Sequence, residues 1–288
     1  MLSYARAIVQ EVEDGAAQQT PAAIYSKLRK LGLDDFGELL MLAPHPDYPK
    51  LSAHLPAMAS TLVQDQWTGQ NGYALLRQTS AFVRSVSYNY THITGRSLSD
   101  ATMLDYGCGY GRIARLMYYF SDPQNVIGVD PWDRSIDECH TANMGPYFRQ
   151  SDYLPKTLPV DNLSFDICYA FSVFTHLSKR AADLALTVIR RYMKPGALLC
   201  LTIRPVEYWD YDFSAATPAV RDHAKAEHAR TGFAFVPHNR PPVDGEVTYG
   251  DTSMSLDWLQ ENAPGWMMAG IDRSLEDPLQ LYVFMQAS

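Results

Sequence analysis

The chain has 288 residues, 47% of them hydrophobic, enough to bury a full core as one domain with additions or as two. Its net charge of -8 repels phosphate backbones, and no run of Lys or Arg interleaved with aromatics offsets that locally, so nucleic acid is not an expected partner. Cys108, Cys139, Cys168 and Cys200 form no CxxC pair and have no histidine at zinc spacing, which argues against a disulfide framework and a structural metal. The opening residues turn acidic without a signal-like apolar stretch, and no run of about 18 apolar residues occurs, so the expected location is cytoplasmic, with no membrane partner.

Residues 1–97 read as a helical region, with Ile24, Leu28 and Leu31 on one face and the Pro-rich stretch 43–49 as a break. A helix is predicted over 72–90, where Leu75, Leu76, Phe82, Val83 and Val86 form an apolar face. From 98 the pattern changes to short apolar strands separated by helices, the mark of βαβ units and a parallel sheet. Strands are predicted at 102–105, 125–130, 147–150, 165–171 and 197–203. Ile113, Leu116, Met117 and Phe120 define a helix between the first two. Ala181, Leu184, Ala185 and Val188 define another, with Ser178 as its N-cap and Pro195-Gly196 as its stop. Residues 207–250 show no sheet period and read as an insertion, after which a helix over 255–262 and strands at 266–271 and 279–286 complete the chain. The division is therefore 1–97, a helical region or lid; 98–206 with 251–288, the core; and 207–250, an insertion suited to binding a substrate.

The most informative stretch is Asp105-Tyr106-Gly107-Cys108-Gly109-Tyr110-Gly111-Arg112, a strand that runs into three alternating glycines and then a helix. Such a bend lets the backbone approach a ligand, and amides at the helix start favour negative groups. Asp130 closes the next strand 19 residues after Gly111, where a carboxylate can accept from both hydroxyls of a ribose. The spacing is GxGxG, with Arg112 following the third glycine, so the GxGxxG turn that seats a dinucleotide pyrophosphate fits poorly, and no P-loop GK[ST] follows.

These residues, with the later stretches 165–177 and 193–199, resemble the class I S-adenosylmethionine-dependent methyltransferases over about 98–205 and, more loosely, the last two strands. The resemblance implies a doubly wound, seven-stranded, mostly parallel α/β sheet of Rossmann-like type and S-adenosylmethionine as cofactor. It implies that Asp105, Gly107, Cys108, Gly109 and Gly111 hold the methionine and ribose side and that Asp130 takes the ribose hydroxyls. Pro131 and Trp132 would pack on adenine, Asp152 would accept from its amino group, and Tyr153 and Phe171 would complete the pocket.

The sulfonium is already an activated donor, so catalysis reduces to alignment and, where needed, removal of a proton. His176, after the fourth strand at the sheet's carboxyl edge, is the candidate general base, with a helix-capping or pocket-ordering role as its alternative. The Asn/Asp-Pro-Pro-aromatic motif of amino-methylating relatives is missing after that strand, where Ala170-Phe171-Ser172-Val173 stands instead. No Asp-Asn pair follows the fifth strand, where Arg204-Pro205 stands, so no metal is expected. Substrate candidates are Trp67 and Tyr73 before the core and Tyr208, Trp209, Phe213, His238 and Tyr249 in the insertion. The expected activity is methylation of a small molecule, by preference at a hydroxyl of a sugar or natural product, by a monomer or homodimer. The alternatives are N-methylation of a small molecule, a cofactor-binding regulatory partner without turnover, and an NAD-dependent oxidoreductase.

Overall fold

A computed structural model describes residues 1–161, 164–211 and 217–288. The chain forms two compact units, Met1–Tyr88 with Ser97–Gln150, and Asn89–Arg96 with Ser151–Ser288.

In the first unit, helices α1 (Ser3–Gly15), α2 (Pro21–Leu28), α3 (Leu33–Met41), α4 (Pro49–Ser52) and α5 (Thr61–Thr68) lead to α6 (Gly72–Thr94), whose last residues belong to the second unit. Local chemistry sets the ends. The Thr20 hydroxyl accepts from the Ala23 amide with Pro21 at the first helical position, and Ser60 does the same for Val63. Then follow β1 (Met103–Tyr106), α7 (Arg112–Met117), β2 (Val126–Asp130), α8 (Asp133–Thr141) and β3 (Phe148–Gln150). The strands pair in parallel in the order β3-β2-β1, and every residue of β1 and β2 is buried, as expected of a sheet covered on both faces. Helix α8 has no counterpart among the predicted elements, because only Ser135, Ile136 and Cys139 turn inward and the apolar signal is too thin to read.

Three arginines fasten the N-terminal helices around α7. Arg29 bonds the Asp122 carboxylate at 2.8 Å and the Tyr118 carbonyl at 3.0 Å. Arg112 reaches Gln78 at 3.0 Å and Thr79 at 2.7 Å on α6. Arg115, fully buried, donates to the carbonyls of Ala57, at 2.7 Å, and Tyr110. The helical region is thereby tied to the helix that leaves the glycine turn.

The second unit holds β4 (Phe165–Ala170), α9 (Lys179–Arg191), β5 (Met193–Ile203), α10 (Pro218–Thr231), β6 (Phe233–Pro237), β7 (Gly250–Met254), α11 (Leu256–Asn262), β8 (Trp266–Arg273) and β9 (Leu281–Ala287). β4 and β5 are parallel, β9 runs antiparallel to β5, and β8 runs antiparallel to β9. Ser178 caps α9 as predicted, accepting from the Ala181 amide at 3.4 Å. Pro195-Gly196, read as the stop of that helix, lies inside β5 instead, since α9 ends at Arg191 and the strand begins at Met193. The fold is a seven-stranded, mostly parallel sheet with flanking helices, and β6 and β7 form a separate antiparallel pair.

The stretch 207–250, read as irregular, contains α10 and β6. Its helix escapes a periodicity test because its polar residues run all round and only Ala224 is buried. Tyr208, Trp209, Ala224 and Ala234 build a small core there, and the Trp209 indole N–H donates to the Ser253 hydroxyl at 2.7 Å. Phe213 lies outside the described residues.

Gly250 is fixed by closeness rather than by backbone angle: a Cβ on it would sit 2.1 Å from the Val236 carbonyl oxygen, on the paired strand. Gly250→Ala is expected to cost about 2 kcal/mol or more, because backbone cannot step aside. Gly109→Ala, whose Cβ meets nothing within 4 Å, should cost about 1 kcal/mol from its positive φ alone. Urea denaturation of both variants checks the ranking, and equal losses would refute it.

Candidate functional site

The glycine turn is locked to the strand beside it. Gly107, Gly109 and Gly111 all take positive φ, at 76°, 53° and 74°. The amides of Gly107 and Cys108 both donate to the Val129 carbonyl, at 2.8 and 3.1 Å, and that of Gly111 to the Cys108 carbonyl at 2.8 Å. Asp130 closes the arrangement: one carboxylate oxygen accepts from the Gly109 amide at 2.9 Å and the other from the Trp132 amide at 2.9 Å. The amides of Gly107, Cys108, Gly109 and Gly111, expected to await a ligand, are satisfied within the protein.

What the turn leaves open is a carboxylate and a space. Asp105 is buried, and its Oδ2 has no hydrogen-bond partner among the described residues. Burial, then the charge of Asp130, push its carboxyl well above the ordinary carboxylate range. A buried polar oxygen without a partner costs about 1–3 kcal/mol. The space in front of Gly109 is where a side chain would stand in any other residue. Burial also raises Asp130, partly offset by the amides of Trp132 and Gly109. Cys108 packs behind the turn with its thiol raised by burial, and the Cys139 sulfur lies 3.3 Å from the Gly109 carbonyl.

Aromatic rings flank this cradle. Trp132, expected on adenine, packs against Trp67, expected near the substrate, with ring centroids 4.6 Å apart; Tyr110 lies 5.7 Å from Trp67. The Arg134 guanidinium stands over both indoles, at 5.4 and 5.6 Å. The Pro131 carbonyl accepts from the Gln150 side-chain amide at 3.2 Å. Tyr73 is exposed, and its hydroxyl donates to Glu38 at 3.0 Å.

The second unit carries its own polar cluster where β4 and β5 end. Ser172, just past β4, adopts a positive φ of 59° and donates its amide to the Thr202 hydroxyl at 2.7 Å. Four residues on, His176 places Nδ1 2.7 Å from the Gly250 carbonyl and Nε2 3.2 Å from the Arg204 guanidinium, and its ring stacks on Tyr249 at 4.9 Å and 8°. A guanidinium only donates, so Nε2 accepts and Nδ1 carries the proton. Burial and the Arg204 charge hold its pKa down at about 3. The lone pair that a base would use is therefore engaged by Arg204.

Arg204 and Asp251, which carried no signal in the sequence, anchor this cluster. Asp251 accepts from Arg204 at 2.7 Å, Tyr208 at 2.8 Å and His238 at 2.9 Å. Burial pushes its carboxyl up, but the His238 bond, the Arg204 charge and the Tyr208 hydroxyl outweigh that and leave it below the ordinary range. Arg240 stands over the Tyr249 ring at 4.5 Å. Among the expected substrate residues, Tyr208, His238 and Tyr249 thus come together, while Trp209 is spent on the small core. Phe171 packs edge-on to Tyr282 at 6.3 Å, and Asp152 and Tyr153 are exposed. Among the described residues no group of three or more His, Cys, Asp or Glu is arranged to hold a metal, and no helix is long and apolar enough to cross a membrane.

His176 yields a sign that can be measured. Unfolded, it titrates near ~6.5; folded, at about 3. Between those values the unfolded chain binds the extra proton, so stability is full above about 6.5 and is lost as the pH falls toward about 3. The wild type should lose stability between pH 7 and 5 more steeply than His176→Gln, by up to about 1.4 kcal/mol per pH unit. Urea midpoints at the two pH values give the answer, and parallel slopes would overturn it.

Comparison with known proteins gives this geometry a context. Residues 104–201 match the family described as methyltransferase domain. The chain is 27% identical over 198 residues to the sterol 24-C-methyltransferase erg6 of Aspergillus fumigatus, covering 65% of this chain and 50% of that protein, so it spans about half the length of this curated relative. In fold it is similar to the plantazolicin methyltransferase BpumL solved with SAH, at 13% identity and a TM-score of 0.50, covering 99% of this chain and 100% of that one. It is similarly close to an S-adenosylmethionine-dependent methyltransferase from Clostridium acetobutylicum, at 9% identity and a TM-score of 0.50, covering 79% and 96%. The family match over residues 104–201 takes in the glycine turn and the strand-closing Asp130, and the seven-stranded sheet is similar in fold to solved S-adenosylmethionine-dependent methyltransferases.

Proposed function

We propose that this chain binds S-adenosylmethionine and transfers its methyl group to a small molecule, at a hydroxyl of a sugar or natural product. The observation that carries the reading is the cradle of the first unit: a buried Asp105 oxygen without a donor beside a turn whose Gly109 leaves open space. The cofactor's ammonium and ribose hydroxyls are donors of the kind this acceptor lacks. Asp130, its two oxygens already fixed by the Gly109 and Trp132 amides, retains lone pairs for a ribose diol. Trp132 and Pro131 are assigned to adenine, with Trp67 covering part of the Trp132 ring. Asp152, Tyr153 and Phe171 complete the assigned cofactor set.

When bound, the sulfonium supplies an activated methyl group, so the protein's work is to orient the acceptor, exclude water and take a proton. We assign the acceptor to the cluster at the ends of β4 and β5, because ligands of doubly wound sheets bind at the carboxyl ends of the strands. Tyr208, Tyr249 and His238 combine apolar bodies with polar tips there, and residues 207–250 are read as the substrate-binding part. His176, assigned as general base from its place after β4, is here given a positioning role, since it accepts from Arg204 and keeps that guanidinium aimed at Asp251.

Isothermal titration should show S-adenosylhomocysteine binding in the micromolar range and no binding of NADH. Asp130→Ala removes the acceptor for two amides and for the ribose and should weaken that binding by at least tenfold, with Asp105→Ala similar. Transfer of radiolabel from S-adenosylmethionine into a panel of sugars and phenols tests the acceptor class. Binding of NADH in place of S-adenosylhomocysteine would defeat the proposal.

A further inference from the structure

Two imidazoles border Asp251, and they differ in what they have left to offer. His176 has neither nitrogen to spare: Nδ1 donates to the Gly250 carbonyl and Nε2 accepts from Arg204. His238 is the reverse case. Its Nε2 lies 2.9 Å from Asp251 Oδ2, and a carboxylate held ionised by Arg204 and Tyr208 only accepts, so Nε2 carries the hydrogen and Nδ1 the lone pair. Among the described residues Nδ1 has no hydrogen bond, and the side chain is 32% exposed. The backbone holds the ring in place: the His238 amide donates to the Tyr249 carbonyl at 3.1 Å and the Arg240 amide to the His238 carbonyl at 2.8 Å.

We infer that His238, oriented by Asp251, is the proton acceptor of the substrate site. The inference rests on the methyltransferase reading and names the group that reading needs at a hydroxyl acceptor. As the hydroxyl oxygen bonds to the methyl carbon, the carbon–sulfur bond breaks with its electron pair going to sulfur. The hydroxyl proton goes to His238 Nδ1, and the imidazolium, paired with the Asp251 carboxylate, later releases it to water. The arrangement is an imidazole with an orienting carboxylate on one nitrogen and an open lone pair on the other. The charged and titratable groups around it are Asp251 and Tyr249, on or beside β7, then neutral His176 with its ring 6.3 Å away, Arg204 and Tyr208 on the far side of Asp251, and Arg240 over Tyr249.

The test needs a readout that is independent of turnover. Long-range proton–nitrogen NMR of the imidazoles at pH 8, in the protein without cofactor, should show His238 with its proton on Nε2. Asp251→Asn should abolish that tautomer preference. His238→Gln should melt within a few degrees of wild type and bind S-adenosylhomocysteine within twofold. It should lower kcat on the order of 10²-fold and lose the acid limb of the rate profile, because the base must be neutral to act. A His238 protonated on Nδ1, a tautomer indifferent to Asp251→Asn, or an acid limb that survives His238→Gln would each overturn the inference. Failure of wild type to bind S-adenosylhomocysteine would count against the methyltransferase reading instead, and the NMR result would still decide the state of the dyad.

Discussion

The carboxylate of Asp130 is the constraint on which the first unit depends. Each of its oxygens holds a backbone amide, one from the glycine turn that precedes α7 and one from the start of α8. A single side chain at the end of β2 thus fixes both connections that leave neighbouring strands. Because the bonds are charge-assisted and largely buried, each is stronger than an ordinary neutral pair. The turn in turn accepts three positive φ angles, which only glycine takes without strain, and Arg115 secures the Tyr110 carbonyl from below. Preorganisation of this kind removes the entropy a loop would otherwise lose when a ligand arrives.

Much of this was legible in the sequence for physical reasons. Buried parallel strands are continuous apolar runs, so β1, β2, β4 and β5 show up to within a few residues, and the helices with a wide apolar face, α6 and α9, follow. The glycine spacing and Asp130 could be read because backbone angle and strand-end position leave few alternatives. The stretch 207–250 could not, since α10 buries one residue and β6 pairs with a strand that begins with a glycine and an aspartate. Pairwise chemistry was invisible for a different reason. Arg204 and Asp251 are 47 residues apart, and nothing in either neighbourhood announces that they meet at 2.7 Å. His176 was visible as a histidine in the right place, but its usefulness as a base depends on what occupies its lone pair, which is a fact of tertiary structure.

Asp251 illustrates how one buried charge sorts its neighbours by role. A carboxylate with a guanidinium, a phenol and an imidazole around it is fully satisfied, which lowers its pKa despite burial. The same charge network has the opposite effect on His176, where the Arg204 cation adds to burial and holds the ring neutral. Two histidines close in space therefore carry their hydrogens on different nitrogens, because one ring faces a donor and the other an acceptor.

That polarity also restricts what the cluster can bind. Arg204 is neutralised by Asp251, so the site has no spare cation there to recognise a phosphate or carboxylate, and Arg240, over the Tyr249 ring, is the exposed positive group beside it. Beside that guanidinium the cluster offers the Tyr249 ring and the His238 imidazole, apolar faces with polar tips. A hydroxyl is a weak acid and a poor nucleophile until its proton has somewhere to go, whereas an amine is nucleophilic before it loses one. An imidazole with an open lone pair and a carboxylate behind it is of value to the first acceptor and largely superfluous to the second, and this asymmetry is the reason the proposed acceptor is a hydroxyl.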